Sequence, residues 1–119
     1  YILDDDEAVR RGFAKLLRSA DLDPRCYATA EQFLSEVVDA PHRCLLLDIT
    51  MPLIDGLQVQ TTLNNRRINL PVIAVSARDD LETRNRARAL GARMFLRKPV
   101  DDQALLDAIN WVTNSTDGP

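Results

Sequence analysis

The chain reads as a doubly wound α/β domain, with five parallel strands in one sheet in the order 2-1-3-4-5 and five helices covering it. Three observations predict this. Five short apolar runs alternate with five segments of helical pattern. Three of the runs are apolar throughout, whereas two are bracketed or interrupted by arginine. Charged or hydroxyl side chains follow the runs, at the ends that a parallel sheet collects on one edge.

The elements follow in order. The runs are residues 1–3, 25–28, 44–47, 72–75 and 93–96. Between the first two, Val9, Phe13, Leu16, Leu17 and Ala20 share one helical face. Ala30, Phe33, Leu34, Val37 and Val38 make the second face, behind a Thr29/Gln32 capping-box pattern. A third helix is read over 57–65, although Val59, Thr61 and Thr62 are poor helix formers. The fourth, over 80–90 and closed by Gly91, has the thinnest apolar face and is the element expected to move most easily. Leu105, Leu106, Ile109 and Val112 face inward from a last helix preceded by Asp101 and Asp102.

Strand order follows from burial. Runs one, three and four have the continuous apolar character of strands covered on both faces, while Arg25, Arg93 and Arg97 place runs two and five at the edges. Right-handed crossovers then make the first strand central. A ligand of such a sheet sits beyond the carboxyl ends of strands one and three, where the order reverses.

Size and charge narrow the function. One hundred and nineteen residues make one domain of ordinary size, and 45% hydrophobic with 28% charged residues is the balance of a soluble globular chain. No apolar run approaches the roughly 20 residues of a membrane span, and no signal segment opens the chain, so a cytoplasmic location is expected. Fifteen Lys and Arg against 18 Asp and Glu leave a formal charge of −3, which gives no net field to draw a phosphate backbone. Cys26 and Cys44 fall on strands two positions apart, about 9 to 10 Å between backbones. Disulfide geometry needs about 7 Å or less, so both are read as buried thiols. With His42 the sole histidine, no Cys/His metal cluster can form. His42, Cys26, Cys44 and Trp111 are read as structural.

The sharpest signal lies after the runs. Asp4, Asp5 and Asp6 follow the first, Asp48 the third, Ser76 the fourth and Lys98 the fifth. Each has a plain reading alone: Asp6 and Glu7 as a helix start, Asp48 and Ser76 as turn residues, Lys98 as a solvated lysine. Together they put carboxylates, a hydroxyl and an ammonium into one crevice. Crowded carboxylates raise one another's pKa unless a cation neutralises them. An all-oxygen set with few protein groups suits Mg²⁺, and a carboxylate beside that ion is suited to accept a phosphoryl group.

These residues resemble the receiver domains of bacterial two-component response regulators. The resemblance covers nearly the whole chain and rests on Leu3-Asp4-Asp5-Asp6, on Leu47-Asp48-Ile49-Thr50-Met51-Pro52 with Asp55-Gly56, on Val75-Ser76-Ala77, on Gly91-Ala92 and on Lys98-Pro99. The flavodoxin-like order 2-1-3-4-5 is characteristic of that family, so the two readings of the order are not independent. The resemblance implies that Asp48 is phosphorylated by a sensor histidine kinase. Asp5 and Asp48 would bind Mg²⁺ directly, Asp4 through water, and the backbone carbonyl of Thr50 would complete the protein ligands. Lys98, before a cis Pro99, and Ser76 would hold the phosphoryl group. Ser76 and Phe95 would form the switch, Phe95 standing where a Tyr hydroxyl is more usual.

The resemblance further implies homodimer or output-domain contacts through the fourth helix, fifth strand and fifth helix, where Arg84, Arg86 and Arg88 with Asp101, Asp102 and Asp107 either pair across a two-fold or form a solvated face. Thr50 and Arg78, flanking the site, would tune phosphoryl hydrolysis. Residues 1–113 are read as the domain and 114–119 as the start of a linker within a longer regulator. The segment 96–101 and the last helix resemble receivers joined to LuxR-type helix-turn-helix domains, so DNA would be met only through an output domain outside this chain. Three rivals remain. An aspartyl phosphatase would need an acid at position 50, which is Thr; a flavin or nucleotide binder would need a glycine- or hydroxyl-rich loop where Asp4 to Glu7 stand. A receiver-like binding module that works without phosphorylation is the third.

Overall fold

The computed structural model describes residues 1–50, 56–78 and 80–114. The elements alternate as β1 (Ile2–Leu3), α1 (Glu7–Ser19), β2 (Cys26–Tyr27), α2 (Ala30–Glu36), β3 (Leu45–Asp48), α3 (Gly56–Asn65), β4 (Val72–Ser76), α4 (Leu81–Ala89), β5 (Ala92–Arg97) and α5 (Asp102–Asn114). All strand pairs are parallel and the order is β2-β1-β3-β4-β5, so the arginine-bracketed runs are indeed the edges. The Met51, Pro52 and Asp55 positions of the sequence motif, and the tail beyond Asn114, lie outside the described residues.

Alternation along the central strands divides the core into two layers. Leu3, Leu45, Leu47, Val72 and Ala74 face α2, α3 and α4, where Phe33, Leu57, Val59, Leu63 and Ala87 meet them. Ile2, Leu46, Ile73 and Val75 face α1 and α5, against Ala14, Leu17, Leu105, Ala108, Ile109 and Val112. The caps at Asp6, Thr29 and Asp101 follow the sequence reading, and the structure adds one at Asp80. Asp6 accepts from the N–H groups of Ala8 and Val9, Thr29 from Gln32 N–H, Asp80 from Thr83 N–H and Asp101 from Ala104 N–H. Helix α3 forms despite its threonines, whose hydroxyls turn back onto the carbonyls of Leu57 and Gln58. Gly91 ends the α4 segment at φ 105°, a backbone that other residues adopt with strain.

Three local readings are corrected. Cys26 is exposed rather than buried, because the two-residue edge strand β2 turns only Tyr27 into the core. Both thiols are free, as the strand spacing requires. Helix α2 stops at Glu36; Val37 is already extended at ψ 136°, which carries Val38 out to 53% exposure. Ala20, placed on the inner face of the first helix, caps it and is exposed.

Gly56 positions the functional edge. A Cβ there would lie 2.5 Å from Ile49 Cα and 2.8 Å from the Asp48 carbonyl oxygen, so only glycine lets α3 start directly against the end of β3. Alanine normally favours a helix over glycine by up to about 1 kcal/mol, but overpacking against backbone costs typically 1–3 kcal/mol. Gly56→Ala is therefore expected to lower unfolding free energy by about 1–2 kcal/mol in urea melts, with amide shifts concentrated at Asp48 and Ile49.

Candidate phosphoacceptor site

The carboxyl ends of β1, β3, β4 and β5 bring the predicted residues to one crevice. Asp4 and Asp48 are buried, Asp5 is exposed, and one carboxylate oxygen from each lies within 4.8 Å of the others. Lys98, from the end of β5, donates to Asp4 Oδ2 at 2.7 Å and lies 3.3 Å from Asp48 Oδ2. Its side chain is 19% exposed. The Lys98–Pro99 peptide is cis, as the resemblance implies.

Each of the two buried carboxylates is held at both oxygens. Asp4 Oδ1 accepts the Asp6 N–H at 2.9 Å, so Asp4 is occupied by Lys98 on one side and the α1 entry loop on the other. Asp48 Oδ1 accepts the Thr50 N–H at 2.9 Å and the Thr50 hydroxyl at 2.8 Å. Ser76 is fully buried; its Oγ accepts the Arg78 N–H at 2.9 Å, and its carbonyl accepts the Lys98 N–H at 2.8 Å. A serine hydroxyl that accepts one bond still has its own proton to donate. Phe95 sits half-buried on β5 against the α2–α4 layer, paired with Ala74.

Two acidic residues stand apart from the cluster. Asp6 caps α1, and Glu7 makes an exposed pair with Arg11 at 3.0 Å. Three contacts lie beyond what sequence reasoning finds. Thr50 places its hydroxyl on the Asp48 carboxylate, which spacing of two residues permits but does not require. Arg10 Nη1 donates to the Asp4 carbonyl at 2.8 Å and fixes the loop from within α1. Arg84 places its guanidinium over Phe95, 5.1 Å from the ring centroid, and is half-buried rather than part of an open basic face.

Burial pushes the Asp4 carboxyl above the ordinary aspartate value, against the pull of the hydrogen bonds from Lys98 and Asp6 N–H, and the Asp48 charge adds to the rise. Burial alone would lower the Lys98 ammonium, but its hydrogen bond to Asp4 and the charges of Asp48 and Asp4 outweigh that and hold it above the usual lysine value. The Lys98 contribution to stability is thus complete below the ordinary lysine pKa and is lost only as pH rises through the raised one. A raised Asp4 works in the same sense: the folded state binds its proton more readily, so stability falls as pH rises through its folded pKa. Removing Lys98 leaves the Asp6 N–H alone to restrain Asp4. Lys98→Met is expected to lose about 3 kcal/mol of unfolding free energy at pH 7, and the deficit should narrow toward pH 5 as Asp4, whose carboxyl burial holds above the ordinary value, takes up a proton. An equal deficit at both pH values in denaturant melts would contradict this charge balance.

Comparison with known proteins agrees with the geometry. The profile of the response regulator receiver domain matches residues 1–110. The transcriptional regulatory protein TdiR of Thauera aromatica is 39% identical over 110 residues, covering 92% of this chain and 48% of TdiR. The response regulator protein TodT of Pseudomonas putida is 38% identical over 109 residues, with 92% and 48% coverage. Among solved structures, the response regulator StyR superposes with a TM-score of 0.88 at 37% identity, over 96% of this chain and 58% of the other. The chain thus spans about half the length of the regulators it matches in sequence. Fold, strand-end residues and sequence relatives agree, and the chain belongs to the response regulator receiver domain family.

Proposed function

We propose that this domain takes a phosphoryl group from a phosphohistidine of a sensor histidine kinase onto Asp48 and thereby switches a partner or output domain in transcriptional regulation. The observation that carries the reading is the cluster of Asp4, Asp5 and Asp48 with Lys98 set between its two buried members. In the transfer, an Asp48 carboxylate oxygen attacks phosphorus, the P–N bond to the histidine breaks, and the electron pair and a proton end on the imidazole. Lys98, already 3.3 Å from Asp48 Oδ2, pairs with the incoming negative oxygens. Ser76 donates its hydroxyl proton to a phosphoryl oxygen, and its movement makes room for Phe95 to turn.

The donor set fits Mg²⁺, being all oxygen with one exposed and two buried carboxylates. Asp5 and Asp48 would hold the ion directly with the Thr50 backbone carbonyl. Asp4, which Lys98 holds more tightly than Asp48, at 2.7 Å against 3.3 Å, would act through water. Bound there, the ion neutralises charge on the transferred phosphoryl oxygens. The domain assists its own phosphorylation and dephosphorylation but acts as a signalling element rather than an enzyme on other substrates.

The remaining partners follow the same reading. Residues 1–113 form the domain, 114–119 begin a linker, and DNA is met through an output domain beyond this chain; α5 itself runs through Asn114. Among the described residues no helix is long and apolar enough to cross a membrane, consistent with work in the cytoplasm. Exposed Arg86 and Arg88 on α4 and Asp101, Asp102 and Asp107 beside or on α5 offer opposite charges for a homodimer through α4, β5 and α5.

Intact-protein mass after incubation with acetyl phosphate tests the reading. One phosphoryl increment is expected with Mg²⁺, none with chelator, and none in Asp48→Asn. A folded, Mg²⁺-bound protein that gains nothing even from a phosphorylated kinase would instead be a binding module that works without phosphorylation. For the metal, calorimetric titration of Asp5→Asn with Mg²⁺ should show affinity reduced at least about tenfold. Unchanged affinity would remove Asp5 from the ligand set.

A further inference from the structure

Helix α4 is held at two places by different chemistry. Its last turn is tied to α3: Gln60 Nε2 donates to the Ala87 carbonyl at 3.0 Å, and Asn64 Nδ2 donates to the Leu90 carbonyl at 2.9 Å. Carbonyls at a helix end lack intrahelical donors, so the two amides cap α4 from its neighbour. Gln60 is 1% exposed, which shields its bond from competing water. One turn earlier, the Arg84 guanidinium lies over the Phe95 ring at 5.1 Å from the centroid, inside the roughly 6 Å reach of a cation–π contact. Apolar packing adds little, because Ala87 is the one fully buried side chain of α4.

We propose that Arg84 is the latch of the switch: seated on Phe95, it holds the ring and the front of α4 together in the unphosphorylated domain, and releases when the ring turns toward Ser76. This rests on the reading of Ser76 and Phe95 as the switch pair. Phenylalanine has no hydroxyl, so its π face is the part that can hold a polar neighbour, and a guanidinium suits that face. Turning the ring inward carries the face away from Arg84. The α3 amides bond to main-chain carbonyls and do not depend on the ring. Helix α4 therefore pivots about its last turn, its front moving while residues 87–90 stay clamped. The latch stabilises the resting state, and its loss shifts the equilibrium toward the active one by roughly two- to tenfold, the factor that a cation–π contact of ordinary strength represents.

The test follows the Phe95 ring and the α4 amides by NMR while Mg²⁺ and beryllofluoride, a phosphoryl mimic, are titrated into the chain. Arg84→Met keeps length and helix propensity without the cation. It should reach half-conversion at roughly two- to tenfold less beryllofluoride, with the unliganded ring signals already displaced toward the activated position. Arg84→Gln should do the same, and serves if the Met variant folds poorly. Arg84 makes other contacts too, so the substitution is repeated in Phe95→Leu, where it should no longer shift the midpoint. An unchanged midpoint in Arg84→Met, or a shift of the same size in the Phe95→Leu background, overturns the latch while leaving the switch reading in place if the ring signals still respond. A Phe95 ring that does not respond to saturating beryllofluoride removes the switch reading and the latch with it. Amide exchange that changes equally in residues 81–84 and 87–90 overturns the pivot.

Discussion

One ammonium makes the functional edge possible. Asp4 and Asp48 end neighbouring strands β1 and β3 and are both buried, an arrangement that charge repulsion and desolvation oppose. Lys98 arrives from β5, on the other side of β4, and bonds to one while standing beside the other. The requirement propagates outward. The cation must be delivered past the end of β4, where a small, fully buried serine stands, and the main chain there is fixed by the Lys98 N–H bond to the Ser76 carbonyl. The opposite end of the cluster is fixed by Asp6 N–H and Arg10 on either side of Asp4. The charge arrangement thus joins the ends of β1, β3, β4 and β5.

The two layers of the core serve this edge differently. Helix α1 caps itself with the residue next to the cluster and, with α5, packs Leu17, Leu105, Ile109 and Val112 against the sheet. That layer is packed with apolar side chains from both helices. The other layer changes character along its length. Phe33 of α2 packs edge-on to Tyr27 at 5.7 Å between ring centroids, α3 presses its first glycine against β3, and α4 adds one alanine and polar ties. A tightly held strand-end cluster and a lightly anchored α4 are therefore compatible within one small domain, because different helices supply them.

Much of this can be read from residues alone, for identifiable reasons. Apolar runs mark strands because a sheet covered on both faces excludes charge, and Arg25, Arg93 and Arg97 mark edges for the converse reason. The strand-end residues could be assembled because parallel connectivity puts those ends on one side. The misses share a cause: periodicity gives the direction of a side chain but not the extent of an element. Cys26 lies on a strand too short and too peripheral to bury it, and Val38 follows a helix that ends two residues before the pattern does. Contacts between elements are harder still. The Thr50 hydroxyl on Asp48 and the Arg84 guanidinium on Phe95 depend on backbone geometry that no spacing rule specifies. The role of Gly56 is visible as a motif position, whereas the reason for it is a backbone approach that only coordinates reveal.

The slight anchorage of α4 also bears on how such a domain can diverge. Substitutions on an exposed surface away from caps and buried bonds are usually within about 0.5 kcal/mol of neutral. On α4 that surface is most of the helix, with Glu82, Asn85, Arg86, Arg88 and Ala89 all facing solvent. Recognition could be rewritten there, residue by residue, without a compensating repair in the core. Under the proposed contacts through α4, β5 and α5, recognition would fall on the segment whose sequence the fold constrains least, so duplicated copies could acquire separate partners while keeping one strand-end cluster.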